Sequence, residues 1–102
     1  MSSEALHEDD AVLRPETVDT HRAIRSLMEE FDAVDWYNQR ADATSDPELE
    51  AILVHNRDEE KEHATMVLEW LRRHDPVLDR HLRQYLFTSG SITEIERESE
   101  DE

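Results

Sequence analysis

Cysteine is absent from the 102 residues, which rules out disulfides, Cys-ligated zinc, iron–sulfur clusters and thiol catalysis. One glycine and three prolines are too few for a Gly-rich phosphate loop or a turn-rich β fold. Basic residues are scarce: 11 Lys+Arg stand against 27 Asp+Glu, for a net charge of −16. Nucleic acid and anionic membrane surfaces repel such a chain, whereas cations are drawn to it. No apolar run approaches the roughly 20 residues of a membrane-spanning helix. The acidic first ten residues lack the basic and apolar regions of a signal peptide. The expectation is one small cytoplasmic domain.

The acid is concentrated at the ends. Glu4, Glu8, Asp9 and Asp10 give the first ten residues −4, and six acids against Arg97 give residues 94–102 −5, leaving −7 for the middle. Residues 1–14 and 94–102 read as solvated, mobile tails around a folded domain of 15–93.

The middle reads as helices broken by prolines. Pro15 followed by Glu16 suits a first helical turn. Ala23, Leu27, Val34, Tyr37 and Ala41, flanked by Ile24, Met28 and Phe31, then recur at helical spacing, predicting a helix over 16–43. Ser45, Asp46, Pro47 and Glu48 form a second start signal, with Ser45 as cap and Glu48 three residues on as in a capping box. Leu49, Ile52, Leu53, Val67, Trp70 and Leu71 mark a second helix over 47–73. The connection is so short that the two helices should form an antiparallel hairpin. A third helix is expected over 76–87, ended by Gly90, with Ser91 and Glu94 placed to cap one more short turn. Two long helices cannot enclose a core alone; a second copy would complete a four-helix bundle. The fold class is therefore all-α.

The informative residues are polar ones in apolar rows. Glu30 stands in the row Ala23, Leu27, Glu30, Val34, Tyr37, Ala41, and Glu60 and His63 stand in the row Leu53, Asn56, Glu60, His63, Val67. Residues at i and i+3 share a helix face, and a buried carboxylate needs a cation, a donor or a proton. The Glu-x-x-His string alone proves nothing, because it also occurs at Glu4 and His7. Its position in a mid-helix apolar row, facing a second carboxylate, matches half of a di-iron carboxylate site, which takes a Glu from each of two helices and Glu-x-x-His from each of two others. Two chains would supply the whole. The bland reading is that the charged run 57–63 is a solvated face and His63 a packed histidine. On it, Glu29, Asp32 and Asp35 are surface acids, Trp36, Tyr37 and Trp70 are packing residues, and His55 with Glu59 is a surface pair.

The segments 28–37 (MEEFDAVDWY), 55–63 (HNRDEEKEH), 68–73 (LEWLRR) and 85–88 (YLFT) closely resemble the encapsulated ferritins, over about residues 15–93. The resemblance implies two-helix ferritin-like subunits that pair around a ferroxidase centre, assemble as dimers into a ring-shaped decamer, and oxidise Fe(II) inside an encapsulin nanocompartment. Carried onto this chain, it places the iron ligands on Glu30, Glu60 and His63, and a tyrosine beside the centre on Tyr37. It places a secondary divalent-cation site on Glu29, Asp32 and Trp36. Asp32 departs from the Glu often found there. The chain also ends in acidic residues rather than the short targeting peptide usual in the family.

The ligand types suit this chemistry. Carboxylates are hard ligands that bridge cations, and imidazole adds one nitrogen per metal; zinc and manganese accept the same set. The expectation is a ferroxidase with a di-iron centre shared across a homodimer. The alternative is a non-catalytic acidic helical module that binds metal or acts as an adaptor.

Overall fold

The structure, a computed structural model, describes residues 6–100. Every regular element among them is helical. A single 3-10 turn, Asp10–Val12, precedes α1 (Pro15–Ala43) and α2 (Pro47–His74), which are followed by α3 (Pro76–Tyr85) and α4 (Ile92–Glu100).

Local chemistry sets each boundary. Pro15 opens α1, where its missing N–H costs nothing. The helix ends when Thr44 turns extended and its N–H bonds back to the Arg40 carbonyl at 3.2 Å. The start of α2 differs from the expectation: Asp46, not Ser45, is the cap. Its Oδ1 accepts from the Glu48 and Leu49 N–H groups at 2.9 and 3.3 Å, while Thr44 Oγ1 accepts from the Asp46 N–H. A carboxylate two residues before Glu48 reaches the orphan donors of the first turn and also complements the positive end of the helix dipole. Asp75 does the same for α3, accepting from Val77 and Leu78.

The chain divides into two compact units, Met1–Leu71 and Arg72–Glu102, with the boundary inside α2. In the first unit α1 and α2 run antiparallel, since Asn38 meets Arg57 while Glu30, earlier in α1, meets His63, later in α2. In the second, Asp79 holds both Arg72 and Arg83, whose charges keep its carboxyl below the usual range, the Arg72 hydrogen bond contributing most. Gln84 Nε2 donates to the Ile95 carbonyl, joining α3 to α4. The extra turn expected after Gly90 is the nine-residue helix α4, with Ser91 Oγ accepting from the Glu94 N–H. It occupies most of the stretch expected as a mobile C-terminal tail, just as the 3-10 turn falls within the expected N-terminal one. Of those tails, residues 1–5 and 101–102 lie outside the described residues.

The buried core is thin. Only Ala41, Ala64 and Leu71 are buried hydrophobics among the described residues. On α1, Ile24, Met28, Phe31 and Trp36 are exposed; on α2, Leu49, Ile52, Met66 and Trp70 are. Both long helices thus carry apolar surface that the described fold leaves uncovered. The residues of the two rows holding Glu30, Glu60 and His63 are nevertheless half-buried, except Ala41, which is buried; the imidazole of His63, taken alone, is 44% exposed and so keeps one side open to solvent.

Candidate metal centre

Glu30 projects from the middle of α1, and Glu60 and His63 from consecutive turns of α2. Their ligand atoms all lie within 4.8 Å of one another. His63 Nδ1 stands 3.4 Å from Glu60 Oε2 and 3.6 Å from Glu30 Oε2. The register of α2 separates the ligands from their neighbours: Glu60 is 24% exposed at its side chain, whereas Glu59, one residue back, is 51% exposed and pairs outward with His55 at 3.4 Å.

Electrostatics make this an acid-rich place that wants a positive charge. The hydrogen bond with Glu60 raises the Glu30 carboxyl above its ordinary value, reinforced by burial and by the Glu60 charge and only partly offset by His63. Burial favours the neutral His63 ring. The hydrogen bond to Glu60 and the charges of Glu60, Glu30 and Glu59 outweigh it, so the imidazole holds its proton above the ordinary 6.5. Two carboxylates and one imidazole, two hard oxygens and a borderline nitrogen, suit a divalent first-row cation. Three protein ligands leave coordination positions open.

The other residues expected at a site lie elsewhere. Glu29 and Asp32 are outside the cluster; with Trp36 and Arg25 they line an open groove of about 460 Å³. Arg25 was not anticipated, although its place four residues before Glu29 allowed their 3.9 Å ion pair to be read from spacing. Tyr37 is half-buried on α1, with the Arg40 guanidinium 5.6 Å above its ring. Sequence reasoning also missed Arg57, whose Nη1 donates to Asn38 Oδ1 across the hairpin at 3.0 Å; no spacing rule links residues on different helices.

The profile of the EncFtn-like family matches residues 5–89. The chain belongs to that family. It is 66% identical to an encapsulated ferritin-like protein of Rhodospirillum rubrum over 93% of this chain and 68% of the relative. It is 52% identical to a ferritin-like protein of Thermotoga maritima, over 95% and 85% respectively. An encapsulin nanocompartment cargo protein of Myxococcus xanthus is 39% identical over 72% of this chain and 61% of its own length. Among solved structures, a Nitrosomonas europaea protein superposes with a TM-score of 0.83 at 59% identity, covering 86% of this chain and 97% of that one. The EncFtn-like match spans α1, α2 and α3 and so includes the Glu30, Glu60 and His63 cluster. No described helix is long and apolar enough to cross a membrane.

Proposed function

We propose that this chain is a ferroxidase whose catalytic centre is completed by a second copy, and that it works as iron-handling cargo of an encapsulin nanocompartment. The observation that carries the reading is the convergence of Glu30, Glu60 and His63 within 4.8 Å. Three ligands serve one metal; two such sets, facing each other across a two-fold axis, serve two metals with bridging carboxylates. The exposed apolar residues of α1 and α2 supply the surface through which copies associate. Family membership and the names of the relatives support iron as the substrate and an encapsulin shell as the partner. A ring of ten subunits is the assembly this reading expects.

The reaction removes one electron from each of two Fe(II). The acceptor is dissolved O2, which takes two electrons and two protons to become hydrogen peroxide, or peroxide, which takes the same to become two waters. Glu30 and Glu60 bind and neutralise the cations and favour the ferric product; His63 supplies the nitrogen ligand once it has lost its proton. In this reading Tyr37 is the tyrosine that the family resemblance sets beside the centre once a second copy completes it, and the groove of Glu29, Asp32 and Trp36 gathers divalent cations from solvent, helped by the acidic surface.

The deciding experiment follows ferric absorbance after Fe(II) is added in air at increasing iron-to-protein ratios. Continued oxidation far beyond the number of sites, above the protein-free rate and lost in Glu60→Ala, is the expected result. Absorbance that stops at site stoichiometry would make the chain a metal-binding module instead.

A further inference from the structure

We infer that the Arg57–Asn38 hydrogen bond is a register pin for the metal centre, so that Arg57 and Asn38 are positioning residues for Glu30 against Glu60 and His63. The inference rests on the reading of that cluster as a metal site. Arg57 Nη1 donates to Asn38 Oδ1 at 3.0 Å, and Nε of the same guanidinium donates to Asp58 at 3.1 Å. Asp58 in turn accepts an ion pair from Lys61 at 3.3 Å. The fork is therefore held from its own helix while its far end grips α1. Its side chain is only 22% exposed.

The need for a pin follows from the packing. Among the described residues the buried hydrophobics are two alanines and, at the end of the first unit, Leu71, and alanines interdigitate too little to fix how one helix slides along another. One helical turn is about 5.4 Å, more than the 4.8 Å within which the three ligands meet. A slip of a single turn therefore takes Glu30 out of reach of Glu60 and His63. Arg57 precedes Glu60 by less than one turn. Asn38 follows Glu30 by two turns, or roughly 12 Å at 1.5 Å per residue. A directional bond at that point sets the axial offset of the two helices on the loop side of the site.

The chemistry of the pair also suits a place beside a cation site. A guanidinium has no lone pair to offer a metal, and a neutral amide oxygen is a weaker ligand than the surrounding carboxylates. The pin thus holds the helices without competing for the ion. A polar contact that specifies register rather than adding stability is a known use of such groups in helical assemblies.

Cobalt(II) tests this, because its visible bands report ligand number and geometry without turnover. Metal-free wild type, Arg57→Ala, Asn38→Ala, the double variant and Asn38→Asp are titrated with cobalt chloride, and helix content is followed by circular dichroism. Arg57→Ala and Asn38→Ala should each weaken cobalt binding by about tenfold, at the lower end of what supporting partners of metal ligands contribute, and alter the band pattern. The double variant should be no worse than either single one, since both act through one bond. Asn38→Asp keeps an acceptor and should bind as wild type does. Wild-type affinity and bands in Arg57→Ala and Asn38→Ala, or losses that multiply in the double variant, would overturn the pin. If Arg57→Ala loses helix content, Asn38→Ala, a change at an exposed position, decides alone. Failure of the metal-site reading shows separately, as wild-type cobalt binding that Glu60→Ala leaves untouched.

Discussion

Glu30 on α1 and Glu60 on α2 converge on one atom: their Oε2 oxygens approach His63 Nδ1 at 3.6 and 3.4 Å. In the absence of a metal, only protons can reconcile these groups. The raised Glu30 carboxyl and the raised His63 imidazole are two expressions of that shortage of positive charge. On the proposed reading a divalent cation would replace the protons, so that metal binding, pH and folding would be linked at this point.

The first prediction follows from the sign of that linkage. Both groups have folded-state pKa values raised above their unfolded ones, so each contributes stability that is full below the unfolded value and lost as pH rises through the folded one. For His63 the window opens above 6.5; for Glu30 it opens above 4.5. The lowered Asp58 and Asp79 act the other way, but only as pH falls below 3.8. The chelated protein should therefore melt at a lower temperature at pH 8 than at pH 6, and His63→Ala should flatten that slope. Bound metal should reverse the trend. Thermal melts at pH 6, 7 and 8 with chelator or zinc check it; a chelated protein that gains stability from pH 6 to 8 would contradict it. Zinc loading in weak buffer should also release more protons at pH 6 than at pH 8.

The second concerns which acids matter. Supporting partners of metal ligands contribute about 10–100-fold, so loss of a ligand should cost at least about 100-fold. Glu30→Ala, Glu60→Ala and His63→Ala should each lower the initial Fe(II) oxidation rate by that much. Glu59→Ala, which removes a side chain paired with His55 and 51% exposed, should retain most activity. A dead Glu59→Ala beside a healthy Glu60→Ala would shift the working face of α2 by one residue.

Much of this was legible along the chain because it is helical. The spacing of Leu27, Glu30 and Val34, and of Leu53, Glu60, His63 and Val67, defines a face whichever partner covers it, and these residues are half-buried. Prolines 15, 47 and 76 each open a helix, as proline at a first helical position should. What stayed hidden depended on side-chain reach or on the other helix. Ser45 and Asp46 both fit a capping pattern, and only geometry shows Asp46 meeting two N–H groups. Ser91 and Glu94 marked one more short turn after Gly90, with 94–102 a solvated tail beyond it; the cap bond forms, but the helix runs on as α4, and the Ile95 carbonyl meets Gln84. The Arg57–Asn38 bond has no signature in either helix alone.

The third prediction tests the cap. Replacing Asp46 by Ala strands two N–H groups of α2 and removes a favourable charge at its N-terminus, at a cost of about 1 kcal/mol. Ser45→Ala should change stability by no more than about 0.5 kcal/mol, as for an ordinary surface substitution. Urea unfolding of the metal-free protein, followed by far-UV circular dichroism, separates the two; equal effects would return the cap to Ser45.

The fourth concerns assembly and rests on the proposed shared centre. Each copy brings Glu30 and Glu60, so two copies bring four carboxylates to one place, and two divalent cations neutralise them. Without metal the like charges oppose association or must take up protons, and every tenfold change in proton affinity that this demands corresponds to about 1.4 kcal/mol. The uncovered side chains of Ile24, Phe31, Ile52 and Met66 favour association throughout. The balance between apolar attraction and carboxylate repulsion thus sits where a metal can tip it, and a cation held only by the paired state draws copies together by mass action. Iron or cobalt should move the protein from monomer toward dimer and larger rings. Acid should release the metal and weaken that shift. Glu30→Ala removes half of the opposing charge, so it should form more dimer than wild type when metal-free and respond less to added metal. Native mass spectrometry of the chelated and loaded proteins reads both effects. Identical distributions with and without metal would mean that the apolar faces alone set the assembly, and a Glu30→Ala variant more monomeric than wild type under chelation would remove carboxylate repulsion from the account.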